Sequence, residues 1–192
     1  LSTLPGARIV YPSFADDAAG LLRTSMRSKG FTLYLEPKAQ YNAVEAATVV
    51  PDDFEVPFGK ARIRREGTDL SIITYGNTTH FCLTVADRLA KESGWNVEVI
   101  DLRSLIPLDK EAIFESVKKT SKALIVHEDK VFSGFGAEIA AMIGEEMFRY
   151  LDAPVQRVGS IFTPVGFHPN FEKAILPGEE RIYKAAKSLL EY

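Results

Sequence analysis

The chain has 192 residues, of which 46% are hydrophobic and 26% charged, and its formal net charge is −3. That length holds one full domain with a remnant, or two small domains, and the charge balance gives no electrostatic reason to bind nucleic acid or an anionic membrane. The one cysteine, Cys82, leaves no internal disulfide, and no apolar run is long enough to span a bilayer, so a reduced, soluble compartment is expected.

In chain order, residues 7–11 (ARIVY) read as a short apolar strand, followed by Ser13 as a helix N-cap with Asp16 and Asp17 in the first turn, where acids suit the helix dipole. The helix is expected to run towards Lys29. Phe14, Ala18, Leu21, Leu22 and Met26 share one face, and Gly30 stops the helix before a strand at residues 31–35. From Pro37 to Gly67 the pattern breaks. Pro51, Pro57, the acidic pair Asp52 and Asp53, and the basic run Arg62, Arg64, Arg65 show no sustained period, so residues 49–67 read as a linker.

From about Thr68 the alternation is regular: strands at 70–74, 97–102, 123–127 and 155–158 interleave with helices at 79–92, 109–119, 136–150 and 179–190. Crossover units of this kind predict an α/β fold in three layers, a mostly parallel sheet with helices on both faces. Ile139, Ile143 and Met147, like Ile182, Ala186 and Leu189, recur at helical spacing and are assigned to the core.

The string GFG at Gly134 to Gly136 follows a strand and opens a helix, the setting of a phosphate-binding turn, but Ile139 stands where the third glycine belongs. The competing reading is a tight loop in which glycine lets two chain segments approach. Neither GxxxxGKS nor GxSxG occurs, which removes support for P-loop and serine-hydrolase chemistry. His80, His127 and His168 have no HxxxH or CxxC companions, so no metal site is expected. His127 and Glu128 lie at the carboxyl end of a strand, where open α/β sheets meet their ligands. They read as an acid and a base touching a substrate or subunit, or else His127 is fixed structurally beneath the GFG loop. His168, in the loop TPVGFHP, is a further candidate for substrate or subunit contact.

The ordered strings GARIVYPSFADDAAGLL, LEPK, PFGKARIRREGTDLSIITYG, VEVIDLRSLIPLD, HEDKVFSGFGAEIA and YLDAPVQRVG, with a closing helix, span nearly the whole chain. Together they resemble the C-terminal part of the beta chain of thiamine-diphosphate-dependent 2-oxo acid dehydrogenases, of the branched-chain (2-oxoisovalerate) and pyruvate types. The resemblance implies that residues 1–48 end a pyrimidine-binding domain and residues 68–192 form a transketolase C-terminal domain, in a fragment of something longer. It implies thiamine diphosphate and magnesium in the full enzyme, held by a GDG string, a downstream Asn and an activating Glu. No GDG occurs here and the Glu is expected upstream of Leu1, so the isolated chain is expected to bind no cofactor, supply no catalytic residue and be inert.

The partners implied are the alpha part of the enzyme, separate or fused, a second beta chain, and the basic peripheral subunit-binding domain of dihydrolipoyl acyltransferase. Asp152 in the string LDAP and the carboxylate of Tyr192 are the implied docking groups; without the family, Asp152 reads as a solvated acid beside a helix end. LEPK, Tyr41 and RIRREGTDL favour a branched-chain substrate, with pyruvate the alternative. A noncatalytic assembly module is a reading from another class, and a transketolase or deoxyxylulose phosphate synthase lacks its basic phosphate pocket here. Cytoplasm, or the mitochondrial matrix in a eukaryote, is the expected location, and a dimer the expected state. Two departures stand out: FTPVGFHP replaces a string like DTPFP, and Arg27, Ser28, Lys29 and Gly30 offer no side-chain set for the potassium ion of some relatives.

Overall fold

A computed structural model describes residues 2–192. Near its start, β1 (Arg8–Val10), α1 (Ala15–Arg27) and β2 (Thr32–Tyr34) make a strand, helix, strand unit in which β1 and β2 pair in parallel. Two short 3₁₀ turns, Lys38–Gln40 and Val44–Ala46, lead towards β3 (Arg62–Arg65). The rest alternates: β4 (Leu70–Thr74), α2 (Thr78–Ser93), β5 (Val97–Asp101), β6 (Ser104–Ile106), α3 (Lys110–Thr120), β7 (Ala123–Lys130), α4 (Phe135–Glu146), β8 (Gln156–Ser160), α5 (Pro169–Ile175) and α6 (Glu179–Leu190).

Five strands form the main sheet in the order β3-β5-β4-β7-β8, parallel throughout except for the antiparallel edge β3. Every residue of β4 and β5 is buried, as strands covered on both faces must be. On one face Val85 and Leu89 of α2 and Ile182, Ala186 and Leu189 of α6 pack over Leu70, Ile72, Val97, Val99 and Leu124. On the other, Ile113 and Val117 of α3 and Ile139, Ile143 and the following Met147 pack over Ile73, Ile100 and Ile125. The stripes expected of the last two long helices are therefore core, and the three-layer α/β architecture is present.

Three short elements depart from the sequence reading. β3 lies inside the stretch read as a linker and closes one edge of the main sheet, with Arg62 opposite Asp101 and Ile63 opposite Ile100. β6 pairs antiparallel with β1, making a second sheet of order β2-β1-β6, so a segment from the middle of the chain joins the first strand, helix, strand unit. Ile9 and Leu105 of that small sheet join the same apolar cluster as Ile73 and Ile125 of the large one. α5 follows the TPVGFHP loop directly. All three are too short to show a period of their own.

The face of α1 is also corrected. Its buried positions are Asp16, Asp17, Gly20 and Leu21, while Leu22 and Met26 are exposed. The helix begins one residue later than expected, with Phe14 at the N-cap, and the Ser13 hydroxyl pairs instead with the Thr79 hydroxyl at 2.9 Å. Gly20 is the point of closest approach: a Cβ there would lie 2.8 Å from Cγ2 of Val56. No helix is long and apolar enough to cross a membrane among the described residues. Cys82 is fully buried, and that burial pushes its thiol up to about 12.

Candidate functional site

The carboxyl edge of the main sheet carries a chain of polar side chains drawn from three segments. Tyr11 follows β1, Asn77 precedes α2 and Glu128 lies on β7. The Tyr11 hydroxyl donates to Glu128 Oε2 at 3.2 Å, and Asn77 Nδ2 donates to Glu128 Oε1 at 3.1 Å. Gln40 Nε2 donates to Asn77 Oδ1, which extends the chain into the first 3₁₀ turn. Gly76, at φ 62°, permits this: a Cβ there would sit 2.7 Å from the Tyr11 ring. Burial, with Glu128 beside it, raises the Tyr11 phenol well above its usual value, so it stays a donor. Both carboxylate oxygens of Glu128 are thereby engaged, and its geometry is that of a joint between the two sheets.

His127 is fully buried. Its Nδ1 donates to the Asp129 carbonyl at 3.1 Å, and its ring stacks on Tyr75 with centroids 6.2 Å apart and 5° between planes. Because a carbonyl only accepts, the proton sits on Nδ1 and Nε2 is bare. Nε2 faces Gly136 without a hydrogen-bond partner; a Cβ at Gly136 would lie 2.1 Å from it. Burial lowers the pKa of this imidazole, outweighing the pull of Asp129. The GFG segment thus serves close approach, since a Cβ at Gly134 would fall 2.0 Å from the Lys130 carbonyl. The first amide of α4, on Phe135, donates to Asp129 Oδ2 at 3.2 Å, so an internal carboxylate occupies the place a phosphate would take.

His168 is exposed and acts as the N-cap of α5, its Nδ1 accepting from the Asn170 amide at 3.2 Å. The sequence signals Pro169 and His168 thus mark a helix start, and Nε2 remains the ring atom open to a neighbour.

Asp152 and Tyr192, 40 positions apart in sequence, open on one shallow cleft of about 630 Å³. Ala140, Ala141 and Gly144 form its floor side on α4, and Phe148 borders it. Small residues let a partner's backbone come close, while Phe148 and Tyr192 are largely exposed. The Asp152 amide donates to the Ser121 carbonyl at 2.8 Å, which anchors the backbone while leaving the carboxylate in solvent.

A buried ion cluster went unread in the sequence. Asp17, fully buried on α1, accepts from Arg103 at 2.7 Å and from Arg64. Arg64 also donates to Asp101 at 2.8 Å, and Arg62 reaches Asp16 at 2.8 Å. Arg103, at a left-handed φ of 56°, sends its remaining donors to the Lys60 and Ala61 carbonyls, and Arg64 lies 3.9 Å over the Phe14 ring. Burial works against the charge on Asp16, yet Arg62, the Asp17 amide and Thr48 together hold its carboxyl below the usual range; at Asp101 burial wins over Arg64 and pushes the carboxyl up. The signal was available: three acids in α1 and β5 match three arginines in number.

Among the described residues, no three His, Cys, Asp or Glu side chains are placed to share a metal ion.

The family description "Transketolase, C-terminal domain" matches residues 59–182. Among curated proteins, the 2-oxoisovalerate dehydrogenase subunit beta of Bacillus subtilis is 40% identical over 189 residues, covering 98% of this chain and 57% of its own length. A mitochondrial pyruvate dehydrogenase beta-2 subunit of Oryza sativa subsp. japonica is 39% identical over 186 residues, covering 96% of this chain and 49% of its own. The chain thus spans about half the length of the relatives it matches. Among solved structures, a split-gene transketolase described as an inactive beta4 tetramer superposes with a TM-score of 0.79 at 22% identity, over 99% of this chain and 59% of that one. Transketolase from Leishmania mexicana gives 0.66 at 14% identity, over 100% and 26%. These structural likenesses concern the fold.

Proposed function

The chain belongs to the transketolase C-terminal domain family, and on that premise we propose that it forms the assembly and docking part of the beta chain of a 2-oxo acid dehydrogenase. The parent enzyme decarboxylates a branched-chain 2-oxo acid and passes the acyl group to a lipoyl arm; pyruvate is the alternative substrate, since relatives of both kinds match at about the same identity. Residues 1–48 serve as the end of the pyrimidine-binding domain, 49–67 as its connection and 68–192 as the C-terminal domain. Thiamine diphosphate, when bound in the whole enzyme, supplies the carbanion chemistry. This chain contributes no ligand set for it and is inert alone. Its partners are the alpha part, a second copy of the chain, and the basic subunit-binding domain of the acyltransferase.

The observation that carries the docking role is the meeting of Asp152 and Tyr192 on one cleft beside small residues of α4. Opposite charges across such a surface favour encounter and register. Isothermal titration calorimetry at low salt with the isolated subunit-binding domain tests it. Asp152→Asn is expected to weaken binding tenfold or more, about 1.4 kcal/mol, with unchanged circular dichroism. Equal affinity of the variant removes Asp152 from the site.

A further inference from the structure

Outside the carboxyl ends of the parallel strands β1 and β2, the place where open α/β sheets receive ligands, lies a cavity of about 340 Å³. That is the small end of the ~300–1,000 Å³ range of ligand pockets, room for one compact molecule. Ser13 borders it from the β1 side, Glu36 from the β2 side, and Ala43 from between the two 3₁₀ turns. Its lining is mainly apolar and includes Phe14, Tyr34 and Tyr41, with Glu36 as the single charged residue.

The hydrogen-bonding groups of that lining are unevenly matched. Each side-chain hydroxyl already has an internal partner: Ser13 pairs with Thr79 at 2.9 Å, Tyr34 donates to the Ala18 carbonyl at 2.7 Å, and Tyr41 donates to Glu36 Oε2. The Gln40 side-chain nitrogen is spent on Asn77 Oδ1. Two acceptors remain. Among the described residues Gln40 Oε1 is buried without a hydrogen-bond partner, and Tyr41 engages only one oxygen of the Glu36 carboxylate. A buried acceptor without a donor costs free energy that a ligand N–H recovers. The carboxylate is felt at Tyr34, whose phenol is raised above its usual value by burial first and then by Glu36. Arg64, 3.9 Å over the Phe14 ring, is neutralised by Asp17 and Asp101. We propose that this cavity binds a small organic ammonium, its apolar body among the aromatic side chains and its N–H groups on Glu36 and Gln40. A carboxylate with aromatic rings is the composition that holds such cations, whereas a carboxylate ligand of the same size meets Glu36 as a like charge and finds no free side-chain donor. The site therefore takes a ligand of opposite charge to a 2-oxo acid, and it is separate from the cleft at Asp152.

Titration of the isotope-labelled 192-residue chain with benzylammonium, followed through amide shifts by NMR, tests the site. The shifts are expected to concentrate in residues 34–47, with a dissociation constant on the order of 1 mM, the range that ligand efficiency sets for about eight non-hydrogen atoms. Benzyl alcohol, the neutral analogue, is expected to bind about tenfold more weakly, and benzoate not to bind. Glu36 is exposed, and Glu36→Gln keeps an acceptor for Tyr41 without the charge; it is expected to raise the dissociation constant about tenfold. Ala43→Leu keeps the charge and fills the space, and is expected to abolish the shifts, with circular dichroism unchanged in both variants. The assignment is overturned by benzyl alcohol or benzoate binding as tightly as benzylammonium, by shifts that survive both variants, or by no shifts at about 10 mM benzylammonium.

Discussion

Gly136 and His127 show how one atom of side chain decides a local structure. Gly136→Ala places a methyl 2.1 Å from His127 Nε2, so the ring or the start of α4 must move. Overpacking of this kind costs about 1 to 3 kcal/mol, to be read as a lowered urea midpoint. His127→Ala in the same chain is expected to recover part of that loss, because the clash and the ring are one interaction. The buried imidazole also makes stability depend on pH. A histidine whose pKa is depressed on folding binds fewer protons folded than unfolded, so its contribution is complete above the unfolded value of 6.5 and is lost as pH falls from there towards the folded value. His127→Asn keeps a donor for the Asp129 carbonyl without a titrating ring. Its stability difference between pH 7.5 and pH 5.5 is expected to be smaller than that of the wild type, by up to about 1.4 kcal/mol for each pH unit crossed. Equal pH dependence in urea titrations would show that another group carries it.

Among the elements, α1 carries the strongest test. Asp17 is fully buried and bound by Arg64 and Arg103, and these tie the helix to β3 and to the turn before β6. Removing one partner of a buried ion pair leaves uncompensated charge, so Asp17→Ala is expected to lower unfolding free energy by about 3 to 5 kcal/mol. A loss below 1 kcal/mol would mean that water reaches the cluster. The long alternating elements were legible because their apolar residues keep a period over several turns or strand positions. β3, β6 and α5 were not, because each spans seven residues or fewer and takes its stability from a neighbour rather than from its own pattern. The string IDLRSLIPLD, which looks like a functional signature, contains Asp101 and Arg103 of the ion cluster and all of β6. Of the candidate site, the strand-end position of Glu128 was readable, while its engagement by Tyr11 and Asn77 was not, since those partners lie 117 and 51 residues away.

For the whole molecule, the polar chain, the ion cluster and the shared apolar cluster join the segment of β1, α1 and β2 and the 3₁₀ turn after it to the remainder through several independent contacts. The proposal that chemistry needs residues beyond these has a direct test. The purified chain, given thiamine diphosphate, magnesium and 3-methyl-2-oxobutanoate, is expected to release no carbon dioxide above the protein-free control, and measurable turnover would overturn it. What the amino-acid order determined by itself was the alternation of strands and helices, the two core stripes and the resemblance to a family, because periodicity and ordered strings are local properties. The tertiary structure alone decided that Asp16 and Asp17 face inward, that His127 is shut beneath Gly136, and that Asp152 and Tyr192 share a cleft. Each of these depends on side chains distant in sequence competing for the same space or charge, and no local pattern records that competition.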